Sequence, residues 1–559
     1  MVSSELQTYL EDCAGRYSAE LGMLGQVWNG PGYHTRVPNG SWAHPLRESL
    51  DYALGLLTAG DAASVARAAQ IVRAALALQD TDPISRTYGI WPWLQEEPLD
   101  KMAPPDWNWA DFCGARLAQM LVLHRAALPP DLALDMEVAL GHAAWSIFRR
   151  NVGPGYTNIA IMGAGVTLVA GELLGDARLL RYGRRRLHGF LAYTAEQGGF
   201  NEYNSPTYTT IVLHECERIL ALSRDAEGRD AAEQIRRAAW EAVAEHFHPP
   251  TGQWAGPHSR AYADLLDAGA VAYLAAQTGA PIAPHPAAPG RSRTGLTHVP
   301  PLPCPPDLAT RFAAPVASAH ELRRRFIRQA DERRSLWGTT WMDGVACLGS
   351  ASADSLWAQR RPLIAYWRGR DGAAAALRLR FLRDGQDFAS AGLRCAQAGP
   401  RVLGAVALLQ NQGDYHLHLD RPADGVFQAQ RFALRFELSG ADASVDALGS
   451  ALFSLGAGER WAVVHTLGGA FGPFDVTWRA GEERGRAYLE GICYEGPRRA
   501  FDLAELGPVV LGFALELLAA DEAPAPLPAL DADEPGLLRL RWPSVGLELA
   551  APTLPAALP

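Results

Sequence analysis

Apolar positions recur at spacings of three and four residues through the first half of the chain. The stretch ESLDYALGLLTAGDAASVARAAQIVRAALALQD (48–80) carries this period twice, broken by an AGD turn, and so predicts an antiparallel helix pair. The same period returns in DFCGARLAQMLVLHRAAL, LALDMEVALGHAAWSIFRRN, NIAIMGAGVTLVAGELLGD and YTTIVLHECERILALSRD, and a further pair is expected over 229–247 and 260–278. Gly, Pro, Asn and Asp fill the connections, several of which are long and rich in tryptophan. There is no fixed repeat length of the kind a solenoid shows. Helical hairpins over about 280 residues therefore predict an incomplete (α/α) toroid whose loops at one end form a cleft.

Beyond residue 335 the period changes to two. RPLIAYWRG, AAALRLRFLRDG, RVLGAVALLQNQGDYHLHLD, QAQRFALRFELSG, FDVTWRAGEERGRAYLEGICYEG and GLLRLRWPSVGLELA are short alternating runs bounded by Gly, Asp and Pro. Such runs at close spacing predict an antiparallel β-sandwich. Between the halves the chain is dense in proline, which predicts a linker or crossing segment. The expected organisation is a toroid over 1–280, a crossing segment over 281–334 and a sandwich over 335–559.

Composition narrows the function classes. The 559 residues are 48% hydrophobic and 20% charged, an ordinary globular balance too long for one core. The net charge is −10, and Lys101 is the single lysine among 51 basic residues. An acidic chain with dispersed arginines argues against nucleic acid or a membrane surface as partner. The seven cysteines are scattered without a CxxC pair, so neither a disulfide framework nor a cysteine zinc site is expected. The first residues lack an apolar core, so no secretory signal is read and a cytoplasmic location is expected. A chain trimmed of its signal would look the same.

Candidate chemistry concentrates in five places. GGFNEYNSPTYTTIVLHE (198–215) gathers Glu202, Tyr203, Asn204 and Tyr208 around a Ser205-Pro206 step, which suits a helix N-cap followed by proline at the first helical position. WAGPHSRAYAD (254–264) sets Arg260 beside His258 and Tyr262, a loop fit to hold an anion or to bridge two domains. GDYHLHLD places His416, His418 and Asp420 on one face of a strand, where they could bind a metal, present a proton donor or form an ordinary surface. GIWPWLQEEPLDKMAPPDWNWADF (89–112) holds Trp91, Trp93, Trp107 and Trp109 with Glu96, Glu97, Asp106 and Asp111. WNGPGYHTRVPNGSWAHP (28–45) repeats that flavour with Trp28, His34, Trp42 and His44. Indole faces beside carboxylates suit sugar rings, although tryptophans as often fill a core.

The G-G-F-x-E-x-x-S-P-x-Y string resembles the stretch that carries the catalytic tyrosine in heparinase II/III-like and related alginate-lyase-type polysaccharide lyases. Gly198 stands where that pattern prefers Asp, and one extra residue separates Glu202 from Ser205. YTNIAIMGAGVTLVAGELLGD is similar to the helix that presents an asparagine to the substrate carboxylate, which implies that role for Asn158. The H-x-H-x-D string resembles a stretch from which a histidine reaches the active site and which in some members holds a structural zinc. The resemblance thus implies Tyr208, Asn158, Arg260, His416 and His418 as the catalytic set. Glu202, Asn204, His258, Tyr262, Trp42, His44, Trp91, Trp107 and Trp109 are expected to line the substrate. No cofactor is required for the chemistry, and His416, His418 and Asp420 are the residues for a structural Zn.

The implied reaction is β-elimination next to a uronic acid in an acidic oligo- or polysaccharide. Tyr208 is expected to act as base, acid or both, with Arg260 or a protonated histidine lowering its pKa. If no such lowering occurs, Tyr208 donates a proton and a histidine is the base. Two other readings fit the residues: an inverting hydrolase using a pair among Glu96, Glu97, Asp106, Asp111 and Glu202, and a glycan-binding protein without catalysis.

Overall fold

Helix starts and stops in the first half follow local capping chemistry. The computed structural model describes residues 4–30, 33–288, 299–409 and 426–556. Its helices are α1 (Ser4–Ala14), α2 (Leu46–Ala59), α3 (Ala62–Leu76), α4 (Trp109–His124), α5 (Pro130–Arg150), α6 (Thr157–Leu173), α7 (Ala177–Gln197), α8 (Tyr208–Leu222), α9 (Ala226–His246) and α10 (Ala268–Thr278). The AGD turn works as expected: Gly60 closes α2 in the left-handed conformation, and the Asp61 carboxylate caps α3 through the Ser64 N–H.

The chain forms two compact units, one of residues 1–195, 210–239 and 293–302, the other of 196–209, 240–292 and 303–559. The first unit is helical. Helices α2, α4 and α6 pack side by side as an inner layer, while α3 and α5 pack outside them. This is the expected incomplete toroid of hairpins. α6 is buried on every face, and its glycines set the close approaches. A Cβ at Gly171 would meet the Leu180 backbone of α7, and one at Gly183 of α7 would meet the Leu168 backbone.

The second unit is the antiparallel sandwich. One sheet runs Thr477–Glu483, Arg486–Asp502, Val426–Ser439, Ala374–Arg383, Leu363–Arg368, Ala346–Ala351, Leu336–Met342 and His320–Ile327. The other runs Ala353–Ser355, Ala391–Ala398, Arg401–Leu408, Val509–Ala519, Arg460–Phe471, Leu452–Ala457 and Ser444–Ala447. Phe381, Phe432, Phe436, Leu455, Phe471 and Phe513 fill the core between them. The turn Arg484-Gly485 has positive φ at both positions, the geometry that suits the twist of a two-residue hairpin.

Three elements differ from the sequence expectation. The helix expected over 260–278 begins only at Ala268, where Asp267 caps it, and a loop carries residues 255–267. The strand His320–Ile327 lies inside the stretch expected to cross between domains. It is an edge strand on which Arg323 and Arg324 are exposed, so it lacks the alternation that would announce it. The run GLLRLRWPSVGLELA joins a third sheet (Ala529–Glu534, Leu537–Trp542, Leu547–Pro552) rather than either face of the sandwich. Leu538, Leu540 and Trp542 of that sheet cover Leu403, Ala405 and Ala514.

Candidate active site

The 198–208 segment and the 254–262 loop belong to the same unit and are joined by their own polar groups. Ser205 Oγ accepts the Tyr208 N–H at 3.0 Å and donates to the Arg260 carbonyl at 2.6 Å, so one hydroxyl both caps α8 and ties it to the arginine loop. Asn204 takes φ 41°, a left-handed conformation that Asn tolerates. Its Nδ2 donates to the carbonyls of Ala255 and Pro257, both at 2.9 Å, and its Oδ1 accepts from Trp254 Nε1 at 2.6 Å. Below the loop, a Cβ at Gly349 would fall 1.9 Å from the Gly256 carbonyl, which Thr340 Oγ1 also bonds at 2.7 Å. Only glycine lets the loop settle on the sheet at that point.

These contacts aim Arg260 at Tyr208. The guanidinium donates through Nε to Gln359 Oε1 at 2.9 Å, through Nη1 to Glu202 Oε1 at 2.8 Å and through Nη2 to the Tyr208 hydroxyl at 2.8 Å. Trp357 lies under it, 5.2 Å from ring centre to Cζ. The Tyr208 hydroxyl also bonds that of Tyr262 at 2.9 Å. Arg260, Glu202 and Tyr208 are buried, whereas Tyr262 is exposed. Burial would weaken the hold of the guanidinium on its proton, but the hydroxyl oxygen of Tyr208 and the carboxylate of Glu202 outweigh it and keep Arg260 cationic. Burial also pushes the Tyr208 phenol well above its usual pKa; Tyr262 and Glu202 add to the rise, and Arg260 opposes it without prevailing. The expectation that Arg260 lowers this pKa is therefore corrected: desolvation wins, and Tyr208 is a neutral phenol.

Two other expectations in this loop change. Asn204 spends its amide on the loop and holds structure rather than lining a substrate. His258 is buried, with Nδ1–H donating to the Asn204 carbonyl at 2.7 Å. Burial lowers its pKa to about 3, so it is uncharged and offers no cation to an anion. Residues that the sequence did not single out complete the arrangement. Arg361 exchanges backbone hydrogen bonds with His258, its guanidinium bonds Asp264, and the Gln359 carbonyl accepts from the Ala261 N–H. Asp354 accepts from the hydroxyl of Tyr203, whose ring stacks on Phe326. The strand-like text around SADSLWAQRRP gave no sign of a strap that reaches a distant loop.

In the helical unit, Asn158 is the second residue of α6. It is buried, and its Oδ1 has no hydrogen-bond partner among the described residues. An unmatched amide oxygen in an otherwise apolar helix is costly.

The tryptophan loops are mostly core. Trp91 is 1% exposed and donates to the Ala75 carbonyl at 3.0 Å, so it packs rather than presents a face. Trp109 is buried and stacks on Trp93 at 5.0 Å, and Trp93 in turn donates to Asp106 Oδ2 at 3.2 Å. Trp107 is half-buried with its N–H on the Arg86 carbonyl. His44 is buried against Glu96, whose carboxyl burial would raise, but the His44 hydrogen bonds hold it below the usual range. Trp42 alone of the four expected platforms is open, at 56% exposure, opposite Val27 on a two-strand hairpin. Exposure separates them because the apolar text of these loops extends the helical core.

His416, His418 and Asp420, with the structural Zn expected on them, lie outside the described residues. Among the described residues no group of three or more His, Cys, Asp or Glu is placed to hold a metal. Nor is any helix there long and apolar enough to cross a membrane.

Comparison with known proteins gives a family model and several solved structures. Residues 17–288 match the model of a domain of unknown function, DUF8769. No curated protein matches. The crystal structure of a heparinase III is similar over 99% of this chain and 91% of its own, at 10% identity and a TM-score of 0.44. The heparinase III product BT4657 covers the same shares at 10% identity and a TM-score of 0.36. A mutant of the heparan sulfate lyase HepC from Pedobacter heparinus is similar over 98% of this chain and 94% of its own, at 10% identity and a TM-score of 0.35.

Proposed function

We propose that this chain is a polysaccharide lyase that cleaves a uronate-containing glycan by β-elimination. The observation that carries the reading is the Tyr208 hydroxyl, held by a buried Arg260 on one side and by the hydroxyl of exposed Tyr262 on the other. In the reaction the C5–H bond of the uronate breaks, its electrons form the C4=C5 bond, and the C4–O4 bond opens. Charge gathers on the carboxylate as the proton leaves, and fixed donors aimed at it lower the barrier. The sequence resemblance gives that donor role to the amide N–H of Asn158. Tyr208, neutral in its burial, supplies a proton to the departing oxygen, and a histidine is the base. Arg260 positions the phenol and stabilises it once deprotonated, rather than gripping the substrate, because its three nitrogens are already engaged.

Four of the acids that a hydrolase would need are engaged in other contacts. Glu96 is bound to His44, Glu97 accepts the Arg36 N–H at 2.6 Å, Asp106 holds Trp93 and Glu202 holds Arg260. Asp111 is buried against Gly163.

The test is a panel of uronate-containing glycans followed by ultraviolet absorbance of the 4,5-unsaturated product. Wild type is expected to generate that absorbance on at least one glycan. Tyr208→Phe should reduce kcat by about 10²–10⁴-fold while glycan still binds. New reducing ends without the unsaturated chromophore would instead identify a hydrolase.

A further inference from the structure

Tyr208 and Tyr262 are unequal partners. Tyr208 retains 7% of its surface and Tyr262 retains 53%, yet their hydroxyls are hydrogen-bonded and their rings meet edge to face at 88°. A phenol donates one proton. Arg260 can only donate, and its Nη2 fills an acceptor position on Tyr208 at 2.8 Å while standing 3.5 Å from the Tyr262 hydroxyl. When Tyr208 donates to Tyr262, the remaining proton of the pair is the one on the hydroxyl of the more exposed residue. A glycan approaching from solvent meets that oxygen first.

We propose that Tyr262 is the hydroxyl that passes a proton to the substrate, and that Tyr208 stands behind it as the relay that resupplies it, with Arg260 ending the chain. This rests on the lyase reading above and changes which group touches the sugar. As C4–O4 breaks, its electron pair stays on O4, which takes the proton of Tyr262. Tyr262 takes the proton of Tyr208 in the same movement. The electron pair left on Tyr208 faces the Arg260 guanidinium at 2.8 Å, closer than the 3.5 Å at which the same nitrogen meets Tyr262. The C5 proton goes to the base. That base afterwards gives its proton to water, and Tyr208 regains one from water through Tyr262. Tyr262 is therefore a catalytic residue, not only a wall of the binding surface.

Steady-state kinetics of Tyr262→Phe on the glycan that wild type cleaves provide the first test. The relay predicts a loss in kcat of about 10²-fold or more with KM changed by less than a few fold. A rise in KM with kcat unchanged would mean that Tyr262 only binds, and would overturn the relay while leaving the lyase reading intact. The second test needs no turnover. With 3-fluorotyrosine at position 208, Tyr262→Phe should shift the fluorine resonance and lower its titration midpoint, since the Tyr262 hydroxyl helps to hold the Tyr208 proton. An unmoved resonance overturns the shared proton whatever the enzyme does. If wild type yields no unsaturated product on any glycan, the lyase reading fails, and the fluorine experiment still decides whether the two phenols are coupled.

Discussion

Two regions of the molecule combine aromatic rings with charged side chains, and they use them in opposite ways. Around Tyr208 the polar groups are wired to one another, and the last ring in the line, Tyr262, opens to solvent. Around Trp93 in the helical unit the rings stack on each other, and the charges serve them. Asp106 accepts an indole N–H, Arg47 lies 5.7 Å from the Trp109 ring, and Glu96 is consumed by His44. The first region is a polar network with an outlet, and the second is a core that happens to contain polar atoms. Aromatic and acidic residues in a loop do not by themselves distinguish the two. What distinguishes them is whether the hydrogen-bond chain ends inside or at the surface.

Removing Arg260 should collapse the first region most severely. Arg260→Met leaves Glu202 as a buried carboxylate without its cation and takes the donor from Tyr208. Breaking a buried pair in this way costs about 3–5 kcal/mol. Thermal unfolding should show that loss, and kcat should fall with it. Arg260→Lys should rescue little, since one ammonium cannot reach Gln359, Glu202 and Tyr208 from three directions. A lysine variant with normal stability and turnover would show that the network is incidental.

The second region makes the contrary prediction. Trp91→Ala should destabilise the protein by about 3–5 kcal/mol through the cavity it leaves. The variant protein that remains folded should keep its KM for glycan. A raised KM in that folded fraction would mean that the tryptophan core shapes the binding surface after all.

The sequence made the architecture legible where a period was clear. The helical hairpins follow from the three-and-four spacing with Gly60 and Asp61 at a turn, and the sandwich follows from alternation with Arg484-Gly485 at a hairpin. Ser205 as the cap of α8 was also legible, because a cap needs only the residue and its neighbours. Three things were not. Gln359, Trp357 and Arg361 reach Arg260 and its loop from about a hundred residues away, and no local pattern encodes such a contact. The fate of each tryptophan depends on what packs over it, so Trp91 and Trp42 read alike and fold differently. The sign of the Tyr208 shift depends on burial against a nearby cation, a balance that only three-dimensional surroundings set.

The smallest expected effect concerns an acid that belongs to the core type of region but is stored at a cost. Asp111 is buried in the first turn of α4 with its carboxylate against Gly163 of α6, and the nearest guanidinium nitrogen, on Arg150, is 4.0 Å away. Burial raises its pKa from 3.8 to about 7, with Asp106 adding to the rise and Arg150 and Arg186 opposing it. Between those values the folded chain holds a proton that the unfolded chain has released. The contribution of Asp111 to stability therefore falls as pH rises from about 4 to about 7, and its deficit is complete above that range. Asp111→Asn removes the titration while keeping the shape. It should leave stability unchanged near pH 4 and raise it by about 1–4 kcal/mol above pH 7, as replacement of a buried charge by a neutral group often does. Denaturant unfolding at the two pH values measures the difference directly. A gain of equal size at both would mean that packing rather than charge decides the site. A loss at high pH would mean that Asp111 is held ionised by Arg150 and Arg186, which would make it part of a polar network after all.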